Sequence, residues 1–96
     1  MELQEALTIL REHEAEVREH HVKALSIFGS VVRGEASDAS DIDILVEFDQ
    51  RVGLLTFVGL KLFLEGILGR PVDLVTPSGL RDSMRKSVLK EAIRVA

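Results

Sequence analysis

The residues with a capacity for chemistry fall into three places along the chain: a glycine-serine pair, Gly29-Ser30; two aspartates one residue apart, Asp41 and Asp43; and a later aspartate, Asp73. Three carboxylates brought together repel strongly, since two unit charges about 4 Å apart cost roughly 4 kcal/mol at an effective dielectric near 20. A cation relieves that repulsion. With no cysteine in the chain and no histidine among these positions, an all-oxygen ligand set suits Mg²⁺ or Mn²⁺ rather than zinc, and such ions complete their shells with water and phosphate oxygens. A triphosphate is the substrate this chemistry points to. Gly29 would let backbone approach it closely, the Ser30 hydroxyl and the amides of a helix start would favour its anionic oxygens, and Arg33 stands a few residues on.

For these residues to meet, the surrounding elements must bring them to one edge. Leu3, Ala6, Leu7, Leu10 and Val17 follow the three-and-four spacing of an amphipathic helix over residues 1–19. Residues 23–28 form a short apolar run that suits a strand and stops at Gly29. Residues 30–34 leave room for one or two helical turns between a serine and a glycine. Residues 42–48 make a second strand, 54–68 a helix apolar on most sides, and 72–75 a third strand. Thr76 or Ser78 is placed to cap a last helix with Pro77 in its first turn, and Leu80, Met84, Val88 and Ala92 would line one of its faces. The order predicted is αβαβαβα, an α/β chain.

A right-handed crossover through a helix makes the second and third strands parallel, so their starting ends, with Asp41, Asp43 and Asp73, share one sheet edge. Alternation puts Asp41 and Asp43 on one face and Ile42 and Ile44 on the other. Delivering Gly29-Ser30 to that edge requires the first strand to run antiparallel to the second. A mixed three-stranded sheet follows.

Simpler roles compete for several residues. Asp-x-Asp alone is common at strand starts, where aspartate accepts local hydrogen bonds; it is the combination with Gly29-Ser30 and Asp73 that points to catalysis. Ser30 could be a plain helix cap and Arg33 a surface charge. Gly29 and Gly34 have the glycine spacing of a phosphate loop, but Glu35-Ala36 stands where lysine and serine or threonine are needed. Asp38 reads as a loop residue, and His13, His20 and His21 as solvated side chains near a helix end.

Composition narrows the class further. At 96 residues one core and one domain, residues 1–96, are expected. The absence of cysteine fits a reducing cytoplasm. Residues 1–5 do not follow a signal-peptide pattern, and the apolar run 54–68 falls short of the roughly 20 residues of a membrane span. A net charge of −4 disfavours stand-alone nucleic-acid binding, although Arg81, Arg85, Lys86 and Lys90 are basic contact points.

Phe28-Gly29-Ser30, then Asp41-Ile42-Asp43-Ile44, then Val72-Asp73-Leu74-Val75 resemble the DNA polymerase β-like nucleotidyltransferase superfamily, whose smallest members are the minimal nucleotidyltransferases. Arg33-Gly34-Glu35-Ala36 and Ser40-Asp41 also look like those members, and the order of elements matches over nearly the whole chain. The resemblance implies an α+β type nucleotidyltransferase fold. It implies Asp41 and Asp43 as ligands of two Mg²⁺ ions, Asp73 as a third carboxylate that also activates the attacking hydroxyl, and Ser30 as a phosphate ligand beside Gly29 and Arg33. Relatives often carry arginine directly after the serine, where this chain has Val31. Many relatives are antitoxins to a helical ribonuclease toxin of the HEPN class, and some inactivate it by adding AMP to a tyrosine. The expected activity is therefore metal-dependent transfer of AMP from ATP to a hydroxyl of such a partner. A module that blocks the toxin by contact alone, and a stand-alone enzyme acting on a small molecule or an RNA end, are the alternatives. So short a chain would borrow its acceptor surface from a protein partner, and a homo- or hetero-oligomer is open to it.

Overall fold

In the computed structural model, which describes residues 1–37 and 39–96, side-chain alternation along the strands decides where everything else packs. Asp38 lies outside the described residues. β1 (Val22–Phe28) runs antiparallel to β2 (Ile42–Phe48), and β2 runs parallel to β3 (Val72–Val75). One face carries Leu25, Ile27, Ile42, Ile44, Val46, Val72 and Leu74, all buried. The opposite face carries Asp43, Leu45, Asp73 and Val75, one residue out of step.

Helices cover the apolar face. α1 (Leu3–Glu12) contributes Ala6, Leu7 and Leu10, α2 (Glu14–Arg18) contributes Val17, and α4 (Leu54–Leu68) contributes Leu60, Leu64 and Leu68 to one continuous core. Leu60 and Leu64 are fully buried. Leu64→Ala is expected to cost about 2–5 kcal/mol through lost burial and the cavity left behind. Urea denaturation measures it, and a loss below about 1 kcal/mol would mean that α4 is not seated on the sheet. Among the described residues no helix is long and apolar enough to cross a membrane.

Three expectations are corrected. The single helix expected over residues 1–19 is broken at His13 (φ −109°, ψ 20°). The His13 ring nitrogen Nδ1 lies 2.8 Å from the Ile9 carbonyl. A carbonyl only accepts, so Nδ1 carries the proton and uses the acceptor that the His13 backbone N–H would take in a continuing helix; that N–H bonds instead to Leu10, one residue closer. The sheet has a fourth strand, β4 (Ile93–Arg94), antiparallel to β1, giving the order β3-β2-β1-β4. Finally, Thr76 caps only a 3₁₀ turn, Pro77–Gly79, by accepting the Gly79 N–H at 3.2 Å. Extended backbone at Leu80 and Arg81 then intervenes, and α5 (Asp82–Glu91) starts with no side-chain cap. Of the face expected on that helix, Val88 is buried, Met84 is half exposed, and Leu80 and Ala92 lie outside it. Leu80 and Val88 pack with Phe28 and Leu45 in a small second core, which holds α5 on the acidic face of the sheet.

Candidate active site

Sheet register brings the site together. Asp43 lies opposite Phe28 in the antiparallel pair and opposite Asp73 in the parallel pair, so the end of β1, Asp43 and Asp73 stand in one row across three strands. The crossover through α4 is what sets Asp73 beside Asp43. Asp41 precedes β2 by one residue and is exposed, as is Asp73, whereas Asp43 is partly buried. Arg70 steadies the approach to Asp41: its Nη2 donates to the carbonyls of Ser37 (3.1 Å) and Ser40 (2.9 Å).

Gly29 ends β1 with φ 80° and ψ −151°, a region essentially reserved for glycine. A Cβ there would overlap the Asp43 carboxylate and lie 2.9 Å from its Cγ. The carboxylate therefore sits directly against the backbone of the turn. α3 (Ser30–Arg33) follows, and its N-cap is Gly29 rather than Ser30. Ser30 is thus the first residue of the helix and not its cap. Val31 is buried in the main core, so position 31 points inward, and the basic residue of this turn is Arg33.

A cavity of about 400 Å³ opens over this row. Gly29, Arg33, Asp43, Asp73 and Glu91 are among its polar lining, with Ser83 and Ser87 from α5, and Phe28, Val75, Leu80, Met84 and Val88 are its apolar lining. Ser30 and Asp41 are not part of its lining. Another cavity, about 430 Å³, lies between residues 1–4 and α3 and gathers no cluster of reactive groups.

Charge is unevenly balanced here. Desolvation first, then the charges of Asp73 and Asp41, hold the Asp43 carboxyl above the ordinary aspartate range; Glu91 adds to the rise and Arg33 opposes it. Arg33 is engaged on two edges: Nε donates to Glu35 at 2.6 Å, and Nη1 to both oxygens of Glu91 at 3.1 and 3.2 Å. These bonds, Glu35 before Glu91, hold its pKa above the usual arginine value. Glu91 also accepts the Gly29 N–H at 2.9 Å. Nothing in the sequence singles out Glu91, because it stands in no motif and meets the turn only through the fold.

The carboxylates do not form a closed cage. Among the described residues no group of three or more His, Cys, Asp and Glu side chains is drawn tightly enough to hold a metal ion by itself. The donor set still fits Mg²⁺, which is commonly held by one or two carboxylates together with phosphate oxygens from the substrate. Asp41, Asp43 and Asp73 are the carboxylates available for it, and the energetic cost of ionising Asp43 among them is what a cation would remove.

Comparison with known proteins places the chain in a family. Residues 10–95 match the nucleotidyltransferase domain family. The chain is 46% identical over 94 residues to protein adenylyltransferase MntA of Thermococcus cleftensis, covering 97% of this chain and 95% of that protein. A solved structure described as that of a candidate minimal nucleotidyltransferase superposes with a TM-score of 0.82 at 45% identity, covering 97% of this chain and 95% of the other. A structure of a tri-AMPylated HEPN toxin of Shewanella oneidensis in complex with its MNT antitoxin superposes with a TM-score of 0.67 over 94% of this chain and 71% of the other. At 18% identity the last likeness is one of fold alone. With the family match over residues 10–95, the relative at 46% identity and the row of aspartates beside a glycine-serine turn, the chain belongs to the nucleotidyltransferase domain family and is a nucleotidyltransferase.

Proposed function

We propose that this protein transfers AMP from ATP to a hydroxyl of a protein partner, a tyrosine of a HEPN-type ribonuclease toxin, and acts as the antitoxin to it. The observation that carries this is the Asp43–Asp73 pair set across parallel strands beside the Gly29–Ser30 turn, lining a cavity of about 400 Å³. Its similarity to a protein adenylyltransferase supports AMP as the transferred group, and the fold it shares with an MNT antitoxin supports the partner class. Leu54, Leu55 and Leu62 on α4 are 76%, 88% and 61% exposed. Exposed leucines on one helix suit a protein surface better than solvent. The setting is cytoplasmic.

The residues divide the work. Asp41 and Asp43 hold Mg²⁺, as two ions, with Mn²⁺ able to replace it, and Asp73 completes the acidic row. When bound, the metal offsets the charge of the triphosphate and of the oxygens that gain charge during transfer. That contribution is needed, because Glu35 and Glu91 already balance Arg33 and leave no net positive charge beside the aspartates. Ser30 and the unpaired edge of Arg33 hold the outer phosphates. The acceptor oxygen attacks the α-phosphorus in line, its proton passes to the Asp73 carboxylate, the bond from the α-phosphorus to the bridging oxygen breaks, and pyrophosphate leaves.

Incubation of the purified protein with its cognate toxin, ATP and Mg²⁺ tests this. The toxin is expected to gain mass in AMP-sized steps on tyrosine, and an Asp41→Asn/Asp43→Asn double variant to leave its mass unchanged. An unmodified toxin neutralised equally by both proteins would establish contact as the mode of action. Transfer to a small molecule or an RNA end, with the toxin untouched, would establish the stand-alone enzyme.

A further inference from the structure

We propose that Glu91 is a positioning residue for nucleotidyl transfer, a carboxylate from the last turn of α5 that holds the Gly29–Ser30 turn and the Arg33 guanidinium in the pose that receives the triphosphate. The proposal rests on the assignment of this turn to the outer phosphates. Glu91 reaches the turn from far along the chain: Oε1 accepts the Gly29 N–H at 2.9 Å and the Arg33 Nη1 at 3.1 Å, and Oε2 accepts Nη1 at 3.2 Å. Its side chain is 24% exposed and that of Arg33 50%, so the carboxylate is the more shielded partner of a partly exposed pair. One carboxylate thus ties together the end of β1, α3 and α5.

The consequence for Gly29 is that both of its backbone polar groups are committed. Its N–H goes to Glu91, and its carbonyl accepts the Arg33 N–H at 3.2 Å. The turn is fixed in a backbone conformation that a free chain would rarely hold. The consequence for Arg33 is a guanidinium set in one plane, with Glu35 on Nε and Glu91 on Nη1. Arginine loses much side-chain freedom when it is immobilised, and a guanidinium already held loses less on meeting its ligand.

The same contacts could belong to a carboxylate that merely occupies a phosphate's place and must leave. Geometry decides against it. Among the described residues neither Nη2 of Arg33 nor the Ser30 hydroxyl has a protein partner, so phosphate oxygens can be received with Glu91 still in place.

Binding of a non-hydrolysable ATP analogue with Mg²⁺, alongside KM and kcat for ATP, tests the assignment. Glu91→Gln keeps an acceptor for the Gly29 N–H and removes the charge that fixes Arg33. It is expected to weaken analogue binding about tenfold, the loss of one charge-assisted contact, with KM for ATP rising more than kcat falls. Arg33→Ala is expected to weaken binding similarly, and the double variant no more than either alone. Glu91→Asp, which keeps the charge at shorter reach, is expected to fall between the unaltered protein and Glu91→Gln, and serves as the test if Glu91→Gln does not fold. Unchanged or tighter binding by Glu91→Gln, or additive losses with Arg33→Ala, overturns the positioning role while leaving the phosphate assignment standing. Failure of the unaltered protein to bind the analogue overturns both.

Discussion

Asp43→Asn is expected to abolish nucleotidyl transfer, a loss of at least about a hundredfold, while the metal-free protein becomes no less stable. The lower bound comes from metal sites in which removing a group that only supports a ligand already costs about 10- to 100-fold; Asp43 is assigned as a ligand itself. Stability moves the other way because this carboxylate is partly desolvated and faces Asp73 and Asp41, which together hold its pKa above the ordinary aspartate value. In the window between that ordinary value and the raised one, the folded protein binds more protons than the unfolded chain. Stability therefore falls as pH rises through the window, and the penalty is fully present at neutral pH. Asparagine cannot ionise, so the variant should be at least as stable as the parent at pH 7 and should show a flatter pH dependence in the acid range. Urea denaturation in EDTA at acidic and neutral pH reads both. A loss of more than about 2 kcal/mol at pH 7 would mean that Asp43 is a structural residue instead.

The parts of this site that were legible in the sequence are those that regular geometry controls. β2, α4 and β3 have unambiguous apolar patterns, and once α4 is a crossover the parallel pairing of Asp43 with Asp73 follows from handedness alone. The antiparallel course of β1 followed from the need to bring Gly29-Ser30 to the same edge. What escaped was set by single contacts. One imidazole at His13 takes one carbonyl and breaks a helix whose apolar spacing continues to Val17. β4 is only Ile93–Arg94, too short for alternation to register, and it forms because the edge of β1 is open. Glu91 is invisible for a different reason: in the sequence it is an ordinary charge at a helix end, and only the small core of Phe28, Leu45, Leu80 and Val88 brings it over the turn. The inward position of Val31 was likewise set by packing, and it leaves Arg33 as the arginine of this turn that lines the cavity.

Gly29→Ala is expected to be the most damaging single-atom addition to this protein, costing about 2–3 kcal/mol of stability, at the upper end of what a glycine-only backbone conformation imposes on another residue. Two effects act at once: φ 80° with ψ −151° strains any side-chain-bearing residue, and the new methyl would overlap the Asp43 carboxylate. Transfer should fall with stability, since displacing a reacting group by about 1 Å can cost around a hundredfold. Gly34 supplies the control. It also has a positive φ, 72°, but nothing lies within 4 Å of an added Cβ, so Gly34→Ala should cost only about 1 kcal/mol and leave the site intact. The two contributions at Gly29 separate in an Asp43→Ala background, which removes the carboxylate and leaves the backbone unchanged. There, Gly29→Ala should retain the strain and lose the overlap, so its penalty should shrink without vanishing. If Gly29→Ala is no more destabilising than Gly34→Ala in the parent protein, then the close seating of Asp43 on the turn is wrong, and with it the geometry on which the metal and phosphate assignments both depend.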